Sequence, residues 1–183
     1  KTEPPICSMN SDNVSDHCEI LPKNAQYMLM MVKWDDIKGP VVTKQKEHNM
    51  KIKIPLDEIG EQLFYAVNTI YGNLSIRVSV DLLFHMANLG CDSHLLVDFQ
   101  PNEKARNGYE IIIVAIIAPS IAYLTAQSIK QLLISIAERE KANKKWEFDD
   151  YVPQLNDIFQ TILVIDDDVV EIDTTCKPDA CEQ

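Results

Sequence analysis

The residues with the clearest capacity for chemistry are two of the four histidines, His85 and His94, with Cys91 and Asp92 between them. The segment predicts two strands joined by a turn at 88–92, and adjacent strands could bring these side chains together. Two imidazoles and a carboxylate form a recognised metal-binding set. A metal-dependent hydrolase using His85, Asp92 and His94 is therefore one hypothesis. Strand histidines are also common as surface residues or as hydrogen-bonded partners, and this alternative stays open.

Other reactive side chains give weaker signals. A Cys91 nucleophile with His94 as its base is unfavourable, because a residue three positions along a strand points to the other face. The remaining cysteines lie near the two ends of the chain: Cys7, Cys18, Cys176 and Cys181. They could form disulfides or, with His17, a metal site, but their spacings match no zinc signature, which favours free thiols. The five glycines are scattered, so no phosphate-binding loop is expected, and we predict no cofactor and no bound metal.

Charge placement argues against a nucleic-acid surface. The net charge is −11, whereas binding to phosphates requires a basic patch. Much of the excess lies in 166–183, which holds seven acidic residues and one lysine. The longest apolar run, 111–118, has eight residues, far fewer than the roughly 20 of a membrane-spanning helix. The sequence begins KTEPP without a basic and apolar leader, so no secretory signal is expected.

The elements that must position these residues follow from hydrophobic patterning. Residues 27–34 (YMLMMVKW) are apolar enough for a central strand, 35–40 (DDIKGP) is typical of a turn, and 41–47 (VVTKQKE) predicts a more polar strand near an edge. Residues 50–54 alternate and could extend that strand. Further strands are predicted at 76–87, 94–99 and 109–118.

Three helices complete the predicted fold. The first begins near Pro55, with Asp57 as a cap, and ends at Gly72; its buried side is Ile59, Leu63, Val67 and Ile70. The second runs from Pro119 to about Glu140 with an apolar side of Ile121, Leu124, Ile129, Leu132, Leu133 and Ile136. The third occupies about 148–165 and buries Val152, Leu155, Ile158, Phe159, Ile162 and Leu163. The order predicts an α+β fold, a five-stranded antiparallel sheet with one crossover helix and two C-terminal helices. We expect a flexible N-terminal segment (1–26), a domain (27–165) and an acidic tail (166–183).

That element order resembles the longin domain, and so does the hairpin tip WDDIKGP, from Trp34 to Pro40. The tip is similar to the x-D-x-x-x-G-P hairpin of longin modules of the folliculin, nitrogen-permease-regulator-like and DENN-related kind. The strand-ending IIAP before the long helix also fits. The resemblance covers about 27–165 and favours longin over roadblock, because roadblock modules usually begin with a helix.

The resemblance implies a non-catalytic interaction module rather than an enzyme. Such modules bind small Ras-like GTPases or pair with longin or roadblock proteins, in trafficking or signalling. We expect a cytoplasmic adaptor or scaffold that forms homodimers or heterodimers and has the capacity for peripheral membrane association. The predicted partner-binding residues lie on the opening hairpin: Trp34, Asp35, Asp36, Lys38, Gly39, Lys44 and Lys46.

Two further hypotheses concern charged residues. The resemblance implies a possible arginine finger at Arg77, which would stabilise charge on a transferred phosphate, with Arg106 as a second candidate; a solvated arginine at a strand start is the competing interpretation. The acidic tail 166–183 could fold over the hairpin lysines as a self-inhibitory cover, or serve only as a solubilising tail. The hairpin lysines could equally bind anionic lipid or protect an exposed edge.

Overall fold

The structure is a computed structural model that describes residues 25–72 and 78–166. Its elements are β1 (Tyr27–Asp35), β2 (Gly39–His48), α1 (Leu56–Tyr71), β3 (Val80–Met86), β4 (Cys91–Pro101), β5 (Tyr109–Ala118), α2 (Tyr123–Lys141), a short 3-10 helix (Phe148–Tyr151) and α3 (Val152–Asp166). The five strands form one antiparallel sheet in the order β2-β1-β5-β4-β3. The predicted α+β class, sheet and helix order are confirmed.

The sheet separates two hydrophobic layers. On one face, α2, α3 and the segment between them pack on alternate residues of the central strands, such as Leu29, Met31 and Val114. On the other face, α1 packs on the intervening residues, such as Met28, Met30 and Ala115. Residues 27–32 are all buried, because β1 lies between β2 and β5 and is covered on both faces. This explains why the first strand is apolar almost throughout.

Some details of the predicted elements are wrong. Residues 50–54 do not extend β2; Met50, Ile52 and Ile54 instead pack against the α1 layer as they lead into that helix. The N-terminus of α1 lies at Pro55 with no side-chain cap, so Asp57 does not cap it. β4 begins at Cys91, three residues earlier than predicted, because its first residues continue the ladder with β3.

The buried sides of the helices also differ from the prediction at their ends. Ile59, Leu63 and Val67 are buried as expected, but Ile70 is 55% exposed near the end of α1. Leu124 is 58% exposed in the first turn of α2, whereas Ile121 is buried just before that helix. In α3, Leu155 is buried, Val152, Ile158 and Phe159 are partly buried, and Ile162 and Leu163 lie outside the described side chains.

Within the described ranges, no helix is both long enough and apolar enough to cross a membrane. The proposed N-terminal segment and acidic tail lie almost entirely outside those ranges, so the predicted division of the chain stays a prediction. The tail cysteines and His17 also lie outside them.

Candidate partner-binding surface

The β1–β2 hairpin tip is held in one conformation by its own side chains. The Asp35 carboxylate accepts hydrogen bonds from the backbone N–H groups of Lys38 at 2.8 Å and Ile37 at 2.9 Å. These two bonds lower the pKa of Asp35, since they favour the ionised form. Gly39 then returns the chain with φ of +81°, a conformation that side chains with a Cβ rarely adopt. The tip is therefore preorganised.

The aromatic ring of Trp34 fixes the tip to α1. It stacks on Phe64 with ring centroids 4.6 Å apart, and a Cβ at Gly39 would lie 3.9 Å from the indole. Trp34 remains 37% exposed, and Ile37 at the tip is 94% exposed. An apolar side chain that is nearly fully exposed on a rigid turn is the type of contact that a protein partner can bury.

The tip is also joined to the loop between β4 and β5. The Asp36 carboxylate accepts a hydrogen bond from the backbone N–H of Arg106 at 2.7 Å. Within that loop, the Asn102 N–H donates to the carbonyl of Gly108 at 3.0 Å, which closes the loop. The hairpin tip and the loop 102–108 thus form one surface at one end of the sheet, and the exposed Arg106 side chain belongs to it.

Two of the predicted binding lysines lie elsewhere, on β2, and are engaged within the chain. Lys44 Nζ donates to the carbonyl of Trp146 at 2.9 Å and lies 3.8 Å from the centroid of its ring. Lys46 Nζ forms an ion pair with Asp149 at 2.9 Å. Both contacts hold β2 to the segment between α2 and α3. The predicted partner-binding set on the hairpin includes Lys44 and Lys46; in the structure both contact the segment between α2 and α3.

A half-buried charge cluster continues this contact toward the middle of the sheet. Lys33 Nζ lies 2.8 Å from a Glu140 carboxylate oxygen and 3.2 Å from one of Glu110, and the Trp146 indole N–H donates to Glu140 at 2.8 Å. Burial raises the pKa of Glu140, but the bonds from Lys33 and Trp146 outweigh burial and hold that pKa below its usual value. Sequence patterning misses this cluster, because its residues are distant along the chain.

The histidines of β3 and β4 form two separate carboxylate bridges. His85 Nδ1 lies 2.8 Å from Asp92, whose other oxygen accepts from the backbone N–H of Ile121 at 3.0 Å. His94 Nε2 lies 3.3 Å from Asp81, which also pairs with Lys130 of α2 at 2.7 Å. Each carboxylate therefore connects one histidine of the β3–β4 hairpin to the α2 side of the molecule.

These pairings do not form the metal-binding set of the alternative hydrolase hypothesis. His94 binds Asp81 rather than joining His85 and Asp92, because His94 lies opposite Leu83 whereas His85 lies opposite Asp92. In the part of the chain that the structure describes, no group of three or more His, Cys, Asp or Glu side chains is placed to hold a metal ion. Cys91 is buried, and burial together with Asp92 raises the pKa of its thiol, which opposes a role as nucleophile.

The structure describes one of the two arginine-finger candidates, Arg106, but not the other, Arg77. Arg77 lies outside the described residues. Arg106 is on the tip surface, as described above. Arg139, the third arginine, forms an ion pair with Asp150 at 3.5 Å and lies 5.7 Å from the ring of Tyr151.

Comparison with known proteins yields a likeness of architecture. No sequence family matches the chain, and no curated protein sequence does. Among solved structures, the chain is similar to the longin domain of K. lactis Lst4, with 15% identity, a TM-score of 0.45, and coverage of 76% of this chain and 94% of that one. At this identity and TM-score the likeness determines neither family nor function.

Proposed function

We propose that this chain is a non-catalytic protein-interaction module, an adaptor or regulator that binds a small Ras-like GTPase or that joins a longin or roadblock partner. The observation that carries the proposal is the preorganised hairpin tip, with Ile37 exposed and Trp34, Asp35 and Gly39 fixing its shape. A rigid tip loses little conformational entropy on binding, which favours recognition by a partner. The sequence resemblance of WDDIKGP to longin hairpins gives the partner class.

The proposed binding surface is narrower than the sequence indicated. It consists of the tip residues Trp34, Asp35, Asp36, Lys38 and Gly39, with Ile37 and the adjoining loop 102–108. Lys44 and Lys46 are left out because they bind the segment that carries Trp146 and Asp149. A cytoplasmic location, with recruitment to membranes through the partner, is part of the proposal.

The test is capture of partners from native lysate on the immobilised chain, with GDP and with a non-hydrolysable GTP analogue, followed by mass spectrometry. A Ras-like GTPase enriched in one nucleotide state supports a regulator; longin or roadblock proteins enriched with both nucleotides support a scaffold subunit. Ile37→Asp should abolish either capture. Lys53→Glu, on an exposed residue outside the tip, is the matched control and should not change it. Equal capture by wild type and Ile37→Asp would reject the tip as the surface.

If a GTPase is captured, its hydrolysis rate distinguishes the two arginines. Loss of stimulation in Arg77→Ala but not in Arg106→Ala would support Arg77 as the finger, and the reverse result would support Arg106. An arginine finger contributes about 10³-fold or more to the hydrolysis rate. Unchanged stimulation of hydrolysis in both variants would reject the arginine-finger hypothesis for both residues and would support a binding role without catalytic assistance.

A further inference from the structure

The C-terminal end of α2 lies at the same end of the sheet as the hairpin tip. Glu140, in the last turn of α2, lies 2.8 Å from Lys33, which comes two residues before the turn of the hairpin. The next residue, Lys141, forms an ion pair with Asp98, which comes shortly before the loop between β4 and β5. The residues that follow α2 therefore lie beside the tip and that loop.

The segment that follows α2, 142–145, has a fixed backbone. The N–H of Asn143 donates to the carbonyl of Glu140 at 2.9 Å, and the N–H of Lys144 donates to the carbonyl of Arg139 at 3.2 Å. Asn143 adopts φ of +50°, the left-handed conformation that commonly ends a helix. The two lysines at the end of this segment, Lys144 and Lys145, are therefore presented by an ordered turn.

This end of the molecule collects unpaired positive charge. Within the described ranges, five exposed basic side chains here form no ion pair: Lys38, Lys104, Arg106, Lys144 and Lys145. We call these five residues the basic end face. Elsewhere in those ranges, only Lys51 and Lys53 are also unpaired. The segments 35–39, 102–108 and 142–145 together hold five basic and three acidic residues, a net charge of +2 on a chain of −11.

We infer that the partner bound by the tip presents an apolar pocket for Ile37 with acidic side chains around it, and that the basic end face contacts this acidic rim. The inference rests on the proposed function and extends its surface to Lys144 and Lys145. Ile37, 94% exposed, supplies the apolar centre, and the cations supply the polar surround that protein interfaces typically have. Complementary charge at such a rim accelerates association and disfavours partners of the wrong sign.

An acidic protein surface fits this face better than an anionic lipid bilayer does. Three carboxylates lie in the same segments as the five cations, those of Asp35, Asp36 and Glu103. A bilayer presents diffuse negative charge, which would repel these carboxylates while it attracts the lysines. A folded protein can instead place single carboxylates opposite single cations, which is the arrangement that a face of mixed charge requires.

The test uses the protein that the wild-type 183-residue chain captures from lysate and Ile37→Asp does not, after that protein has been identified and purified. Isothermal titration calorimetry gives its affinity at about 50 mM and about 300 mM NaCl, a range over which exposed charges become screened. The double variant Lys144→Glu with Lys145→Glu should bind about tenfold more weakly at the lower salt concentration. The wild-type affinity should fall several-fold as salt is raised, and that of the double variant should fall less.

The matched control is the double variant Lys51→Glu with Lys53→Glu. It makes the same change of charge on two lysines that are also exposed and unpaired, but outside the basic end face. Its affinity should stay within about twofold of wild type at both salt concentrations. Circular dichroism verifies that both double variants are folded.

Equal weakening by the two double variants, or a wild-type affinity that does not depend on salt, would overturn the inference. The proposed function would survive either result, because capture would still depend on Ile37. If no protein is captured in an Ile37-dependent way, both the inference and the proposed function are rejected.

Two measurements test other occupants of the basic end face. Flotation with phosphatidylcholine vesicles that contain about 30% phosphatidylserine should show no binding of the wild-type chain. Binding that Lys144→Glu with Lys145→Glu abolishes would assign the face to membranes and overturn the inference. Removal of 166–183 should leave the affinity for the captured protein within about twofold, whereas tightening of about tenfold or more would assign the face to the acidic tail instead.

Discussion

The two edges of the sheet are protected in different ways. At the β2 edge, two lysines are fixed to the segment between α2 and α3, one by the carbonyl and ring of Trp146 and one by Asp149. At the β3 edge, one tyrosine hydroxyl covers one carbonyl, and Leu83 is exposed. Unpaired strand edges are sites at which other chains add. Within the described residues, β2 is therefore anchored to the rest of the chain by more side-chain contacts than β3 is at its outer edge.

The largest expected effect comes from removing the buried residue that Lys44 of β2 contacts. Trp146 is 2% exposed, packs edge-on against Phe148 and Tyr151, donates to Glu140 and accepts from Lys44. Trp146→Ala should lower the free energy of unfolding by about 3–5 kcal/mol, the usual cost of deleting a buried aromatic. Urea denaturation followed by far-UV circular dichroism measures it.

The second tryptophan of the chain is the matched control. Trp34 stacks on Phe64 but is 37% exposed, so Trp34→Ala should cost only about 1 kcal/mol. Equal losses in the two variants would mean that the buried Trp146 stabilises the fold no more than the partly exposed Trp34.

A smaller effect, which depends on pH, is expected where β3 and β4 meet α2. Burial lowers the pKa of His94; Asp81 on β3 opposes this shift, and Lys130 on α2 adds to it. In the unfolded chain the histidine titrates near its ordinary pKa of about 6.5. The unfolded state therefore binds more protons than the folded state below that pH, and the free energy of unfolding should fall as the pH drops below about 6.5.

The measurement is urea denaturation of wild type, His94→Gln and His85→Gln between pH 8 and pH 5. His94→Gln should be less stable at pH 8 and should lose much of the dependence on pH in this window. His85→Gln should keep the dependence that His94 causes, because it leaves the buried His94 imidazole in place. The carboxylate of Asp81 has a pKa held below its usual value: burial raises it, but the bonds from Lys130 and His94 outweigh burial. Its own contribution is therefore lost only at more acidic pH. A dependence that persists in His94→Gln would assign the titration to another group.

Much of the fold was predictable from local hydrophobic patterning. The contacts at the two sheet edges were not, because they join residues that are distant along the chain. The apolar run 27–32 identified a strand covered on both faces, and Ile59, Leu63 and Val67 identified the buried side of α1. The end of α1 at Gly72 was predicted, but the pattern could not show that this end lies beyond the core, where Ile70 is exposed and Tyr71 contacts β3. That outcome depends on where the helix crosses the sheet.

The candidate site was predictable where its interactions are local. The turn made by Asp35, Ile37 and Gly39 depends on residues within a few positions of one another, so its conformation could be predicted from the sequence. The roles of Lys44 and Lys46 are set by Trp146 and Asp149, about a hundred residues away, and by the return of the chain after α2. Alternating lysines on a strand have the same pattern whether they face solvent, lipid or another part of the chain.

The smallest expected effect on stability comes from substituting Lys46, and a comparison with Lys44 tests it. Lys44 combines a hydrogen bond to a carbonyl with a contact to the face of the buried indole, so Lys44→Met should cost about 1 kcal/mol. Lys46 and Asp149 form an ion pair with side chains 42% and 68% exposed, and solvent screening leaves such pairs worth about 0–0.5 kcal/mol. Lys46→Met should therefore be nearly neutral in urea denaturation at moderate salt. If Lys46→Met cost as much as Lys44→Met, charge attraction rather than the indole contact would hold the β2 edge, and raising the salt concentration should then loosen it.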